Sequence, residues 1–338
     1  MPHYRDARRG EFLVAPEHER SAGPRGVPPF LRFCAKRGAV GDLVAEPPRD
    51  PRSLIGAAGL NWRVDHRPVL TQLDRGVSTV SGYEALVRPD REQVMAVVSS
   101  AYRVAQNEEL AQAVLGLAAR HDATAALVGA ASFGRHGEQT LFVCRVTVLS
   151  LGEVLVLLAD NRHGREGAVR VRLVIADLGA DAVLTPPATW ASYEIPHVGR
   201  MSDRLAALLD SSMIDDFRKE ISEPRARLEK ARWSPSRTQR LLHELWGDPP
   251  DREPRTRHGA PLEPSDEVKR HPAAYLTSDL DRCESAFHAF RHLCAYLDNE
   301  SEACERGDYT KDRDERLALG AGTKLKQKAW RWLVEVAR

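Results

Sequence analysis

The residues best suited to chemistry are cationic and fall in one short stretch. Arg162, His163 and Arg165 lie in a polar turn, and Arg170 and Arg172 alternate with Val169, Val171 and Leu173 just beyond it. Period-two alternation sends the aliphatic side chains to one face of a strand and the two guanidiniums to the other. Parallel guanidiniums on an open sheet face can hold successive phosphates, because each is permanently charged and forms bidentate contacts. A solvated strand face, paired with Glu153 or Asp160, explains the same pattern without a ligand. A second group, Tyr102, Gln106 and Asn107, sets an aromatic ring beside two amides that could stack on a base and read its edge. The competing account is a buried tyrosine, with Asn107 capping a helix.

Two further groups carry weaker signals. His288 and His292 are four apart, one helical turn, a spacing that can chelate zinc. However, Cys283, Phe287, Phe290, Cys294 and Leu297 form an apolar stripe that reads the cysteines as core filler. With Cys304 included, the spacing fits no structural zinc pattern. Gly320-Ala321-Gly322-Thr323-Lys324 lacks the order of a phosphate-binding loop and reads as the lead into a Thr-capped helix. There is no G-x-S-x-G, H-E-x-x-H or G-x-G-x-x-G pattern. No catalytic residue, cofactor or metal is therefore assigned. An enzyme remains open only as a scattered site near His163.

The totals bound what must position these residues. The chain has 338 residues, room for about two domains. It carries 49 Lys and Arg against 48 Asp and Glu, a balance that argues against a general polycation. The five cysteines show no CxxC spacing, which points to a reducing cytoplasm rather than a disulfide framework. No apolar run approaches the length of about 18 residues that suggests a membrane span.

Along the chain, residues 1–45 show no sustained period and read as a loosely ordered arm. Asp50-Pro51 starts a short helix that ends near Gly59. Two alternating strands follow around Trp62–Arg67 and Tyr83–Arg88, then a third, buried one at Val94–Val98. Asn107 caps a helix through His121. Thr124–Phe133, Thr140–Val146, Glu153–Ala159 and Ala168–Ile175 read as four strands joined by short polar turns, an antiparallel meander with one face wet. Beyond residue 200 the period becomes helical: Arg204–Ile221, a helix from Ser234-Pro235 to Gly247, Leu280–Leu297, and Thr323 to the end. The expected fold class is α+β: residues 46–200 as an antiparallel sheet with packed helices, and 201–338 as a helical region with an exposed loop at 248–272.

Several blocks in order resemble the phage/plasmid-like proteins that carry the domain of unknown function 932. They are Ala45-Glu46-Pro47-Pro48, the run from Ala58 to Val64, Tyr83 to Asp90, Ala101 to Glu108, Asp160 to Gly164 with Ala168 to Arg172, and Gly320 to Ala329. The sequence departs from that pattern at His163-Gly164-Arg165, where the family has Ser-His-Asp-Gly. It departs again at Ile175 to Ala180, where the family has a Val-Cys-x-Asn-Thr-Leu stretch. The resemblance implies a mobile-element setting rather than a reaction. The reading that follows is a non-enzymatic protein that binds single-stranded DNA through Arg162, His163, Arg165, Arg170 and Arg172, with Tyr102, Gln106 and Asn107 nearby. The alternative is a protein-interaction module that inhibits a host defence enzyme, with a host or phage protein as partner, and self-association would strengthen weak basic patches.

Overall fold

In the computed structural model the described residues are 50–122, 124–133, 137–150, 153–164, 167–177, 182–187, 192–209, 212–247, 272–299 and 322–338. The expected N-terminal arm, Arg165 and nearly all of the expected loop at 248–272 lie outside them. The chain forms two compact units, one of residues 1–178 and 190–216, the other of residues 179–189 and 217–338. The fold is α+β, with antiparallel sheets and helices that dominate the C-terminal half.

The first unit opens with helix α1 (Pro51–Ala57). Asp50 caps it by accepting the Ser53 N–H at 2.9 Å, and Pro51 occupies the first turn, where its missing N–H costs nothing. A three-stranded antiparallel sheet follows: β1 (Asp65–Leu73), β2 (Gly76–Arg88) and β3 (Gln93–Ser99), in that order. Helix α2 (Asn107–His121) then buries Leu110, Val114 and Leu117. The cap differs from expectation. Gln106 holds the N-cap position, and its backbone N–H donates to Glu109 at 3.3 Å. Asn107 is instead the first helical residue, and its amide serves the core.

The meander is β4 (Ala126–Phe133), β5 (Gln139–Ser150), β6 (Glu153–Arg162) and β7 (Ala168–Asp177), each antiparallel to the next. A further strand, β9 (Ser192–Pro196), pairs with β7, while the short β8 (Ala182–Leu184) belongs to the second unit. Helix α2 covers β4, β5 and β6. Every residue of β6 from Glu153 to Asn161 is buried, so the central strand is covered on both faces. The expectation of one wet face fails there, because a continuous aliphatic run such as Val154–Leu158 leaves no polar face to hydrate.

The helical segments are shorter than the periodicity suggests. Helix α3 (Met201–Leu209) and α4 (Met213–Lys230) replace one long helix, since Ser212 hydrogen-bonds Asp216 and starts a new one with acids in its first turn. Helix α5 (Pro235–Trp246) follows Ser234 and stops at Gly247, whose φ of 78° suits glycine. Helix α6 (Ala273–Asp281) and α7 (Ala286–Asn299) replace the expected single helix over Leu280–Leu297, and α8 (Thr323–Val336) closes the chain. The core of the second unit sits where Phe287 and Phe290 of α7 meet Trp330 of α8 edge to face. No helix among the described residues is long and apolar enough to cross a membrane.

Candidate functional site

The arginines of β7 share a face, as alternation requires, but that face is not a free cationic surface. Arg170 stands opposite Asp160 on β6 and opposite Glu194 on β9. Its Nε donates to Glu194 at 3.2 Å. Arg172, half-buried, has its charged form disfavoured by burial and supported by Asp160. Asp160 is buried, which raises its carboxyl above the usual range. Arg172, a 3.0 Å bond from Gln139, Arg170 and Arg162 pull the other way. The result is a mixed ladder of acids and bases. Carboxylates at both sides of Arg170 repel a phosphate chain as its guanidinium attracts one. The expected wet cationic stripe is corrected accordingly. Arg162 is exposed at the end of β6.

His163 and Tyr102 come together, but inside the protein. Asn161 donates through Nδ2 to the Ala105 carbonyl at 2.9 Å and reaches His163 Nε2 at 3.3 Å. An amide donor facing Nε2 assigns the ring proton to Nδ1, which lies 3.5 Å from the Tyr102 hydroxyl. The same hydroxyl accepts the Gly164 N–H at 3.4 Å. Tyr102 stacks on His197 with ring centroids 4.6 Å apart, and His197 Nδ1 donates to the Arg103 carbonyl at 2.8 Å. Both histidines and the tyrosine are buried. Tyr102 thus has its ring face occupied and is not available to stack on a base; of the two readings of this residue the buried tyrosine holds. Its phenol is pushed up by burial.

The two amides are structural as well. Gln106 pairs with the Val64 backbone in both directions, accepting its N–H at 3.2 Å and donating to its carbonyl at 3.0 Å. Asn107 donates to the Leu60 carbonyl at 3.0 Å and accepts from Thr140 at 3.2 Å. These bonds tie the start of α2 to the chain leading into β1 and to β5. Both amide side chains are thus engaged within the protein.

Burial holds His163 neutral, pushing its pKa down to about 3, with His197 adding to the effect. The pKa of His197 is lowered in the same direction by burial. An unfolded chain binds these protons near the ordinary value of 6.5, and the folded one does not. Stability contributed by His163 is therefore complete above that value and lost as pH falls toward its folded pKa. The expected loss is roughly 2 kcal/mol between about pH 7 and pH 5 for this one group. Urea unfolding at the two pH values measures it. His163→Gln should flatten the dependence by close to one proton; an equal slope in wild type and variant contradicts the assignment.

A different surface stands out in the three-stranded sheet. The register pairs Val87 with Val94, Ala85 with Val97 and Tyr83 with Ser99, which puts Tyr83, Val87, Val94 and Val97 on one face. Tyr83, Val94 and Val97 are 54%, 53% and 49% exposed. The opposite face, with Leu86, Arg88 and Val98, is buried. Toward the β1–β2 turn the hairpin is solvated on both sides, yet it carries Leu70, Leu73 and Val77, each more than half exposed. The expected burial of Val94–Val98 fails on this face, because a short apolar run does not say which sides are covered. No family model, curated protein or solved structure matches this chain.

Proposed function

We propose that this protein is a protein-interaction module that docks through the β1–β2–β3 sheet, and that the strand it takes along β3 is β3 of a second copy. The single observation that carries this is the contrast between the two edges of that sheet. The β1 edge contains Asp65, Arg67 and Pro68, devices that discourage strand addition. The β3 edge, Gln93 to Ser99, has one bulge, at Met95, but no charge, no proline and no glycine. Two such strands meet in antiparallel fashion without like-charge repulsion, and their exposed Val94 and Val97 extend one apolar face across the pair. The solvated hairpin supports the same reading. A two-stranded arm is marginally stable in water, and an apolar tip gains from being covered.

In the mobile-element setting that the sequence resemblance implies, a host or phage protein is the other occupant of the same edge. Single-stranded DNA is the rival ligand, held by Arg162, Arg170 and Arg172.

Sedimentation velocity of the full chain over a wide concentration range separates these outcomes. The expected result is concentration-dependent dimerisation that Val97→Lys weakens by at least about tenfold, since a lone charge at a paired edge is costly. A chain that stays monomeric throughout, or a variant that dimerises as wild type does, overturns self-pairing. Binding of single-stranded DNA with a steep salt slope, lost in Arg170→Ala/Arg172→Ala, replaces this reading with the nucleic-acid one.

A further inference from the structure

The second unit holds a cluster that the docking reading does not use. The helix break between α6 and α7 places Cys283 just ahead of α7, whose first turn carries His288 and whose second carries His292. The break is anchored: Trp233 donates to the Glu284 carbonyl at 3.2 Å, and the Ala286 N–H reaches Ala231 at 2.9 Å. Ser285 Oγ accepts the His288 N–H at 3.2 Å, so α7 starts at a fixed point. As a result one donor atom from each of Cys283, His288 and His292 lies within 4.8 Å of the others. The two Nε2 atoms are 3.1 Å apart.

We propose that Cys283, His288 and His292 form a binding site for a zinc-class divalent cation, with solvent in the fourth position. Ordinary zinc–nitrogen and zinc–sulfur distances make the tetrahedral N···N span about 3.3 Å and the N···S span about 3.5 Å. The histidine pair already has nearly that spacing, and the thiol needs to approach by at most about 1.3 Å. The i, i+4 relation keeps both imidazoles on one side of α7. Their exposure leaves the outer side open to a water or an exchangeable ligand, the pattern of three-ligand zinc sites.

Coordination needs the thiolate: the thiol proton, now directed to the Asp279 carbonyl at 3.4 Å, leaves to solvent as the sulfur coordinates. The apolar-stripe account of Cys283 is compatible with this, since the residue is buried while its Sγ stays within 4.8 Å of both histidine donors.

Cobalt titration of the full chain tests the site. One equivalent of Co²⁺ should give a thiolate-to-cobalt charge-transfer band and the strong visible bands of a tetrahedral ion, both removed by added Zn²⁺. Cys283→Ser should abolish the charge-transfer band, and His288→Ala or His292→Ala should weaken binding at least about tenfold. Cys294→Ser, a buried change on the same helix, should leave the band in place. His292 is exposed, so its variant retains the native circular dichroism and isolates ligation from folding. No charge-transfer band in wild type, or a band that survives Cys283→Ser, overturns the proposal.

Discussion

Asp298→Ala is expected to destabilise the second unit by about 3–5 kcal/mol, the scale for removing one partner of a buried ion pair. Asp298 lies near the end of α7 and Lys326 in the first turn of α8, and their side chains are only 1% and 2% exposed. Lys326 Nζ donates to Asp298 Oδ1 at 2.5 Å and to the Val183 carbonyl at 2.6 Å. Asp298 Oδ2 accepts the Val183 N–H at 2.8 Å. One salt bridge thus closes the backbone of β8 onto two helices. A carboxylate near a helix C-terminus faces the negative end of the dipole, which makes the ammonium opposite it more necessary. Removing Asp298 leaves a cation in the core and takes the acceptor from Val183. Lys326→Met/Asp298→Asn should lose less than the two single changes added together, because Asn still accepts the Val183 N–H and no charge is stranded. Urea unfolding followed by tryptophan fluorescence gives the values. A loss under about 1 kcal/mol for Asp298→Ala means the pair is hydrated and the argument is wrong.

Much of the fold was legible because local chemistry and tertiary structure agree. The meander strands announced themselves by apolar runs between polar turns. Helix α5 was framed by Ser234-Pro235 and Gly247, and α1 by Asp50-Pro51, signals whose physics is local. The errors share another cause. Alternation showed that Arg170 and Arg172 face the same way, but not that Glu194, twenty-four residues later on β9, would face Arg170. Nor could it show that Asp160 would be buried alongside them. The helix breaks at Ser212 and before Ala286 each carry a serine at the start of the new helix, one bonded to the Asp216 carboxylate and one to the His288 N–H, inside an apolar stripe that periodicity reads as continuous. Tyr102 and His163 are 61 residues apart, and His197 lies 34 further on, so their stacking was a fact of topology alone. The metal-type cluster lies between these extremes. The histidine spacing was plain, while the approach of Cys283 required the break that the sequence reading smoothed over.

Arg88→Ala should cost the first unit about 3–5 kcal/mol, as large as the loss of a core aromatic. Arg88 ends β2 and is fully buried, on the inner side of the sheet whose outer side is the proposed docking face. Its guanidinium lies 3.9 Å over the Trp62 ring and forms a two-pronged contact with Asp90, Nε to Oδ1 at 3.2 Å and Nη2 to Oδ2 at 2.8 Å. Burial lowers the pKa of this cation, and Asp90 pulls against that shift. Gly137 completes the pocket: a Cβ there would come within 2.9 Å of Arg88 Nη1, at a φ of 72° that already disfavours any other residue. Arg88→Lys should recover less than half of the loss, because an ammonium can neither stack flat on indole nor fork onto a carboxylate. Chemical unfolding of the variants measures both. The same variants probe the docking proposal from the far side of the sheet. If Arg88 sets the twist and position of β2, then β3, hydrogen-bonded to it, shifts its edge when Arg88 goes. Self-association should then weaken in Arg88→Lys even where the chain remains folded, whereas dimerisation at wild-type strength would show that the edge does not depend on this anchor.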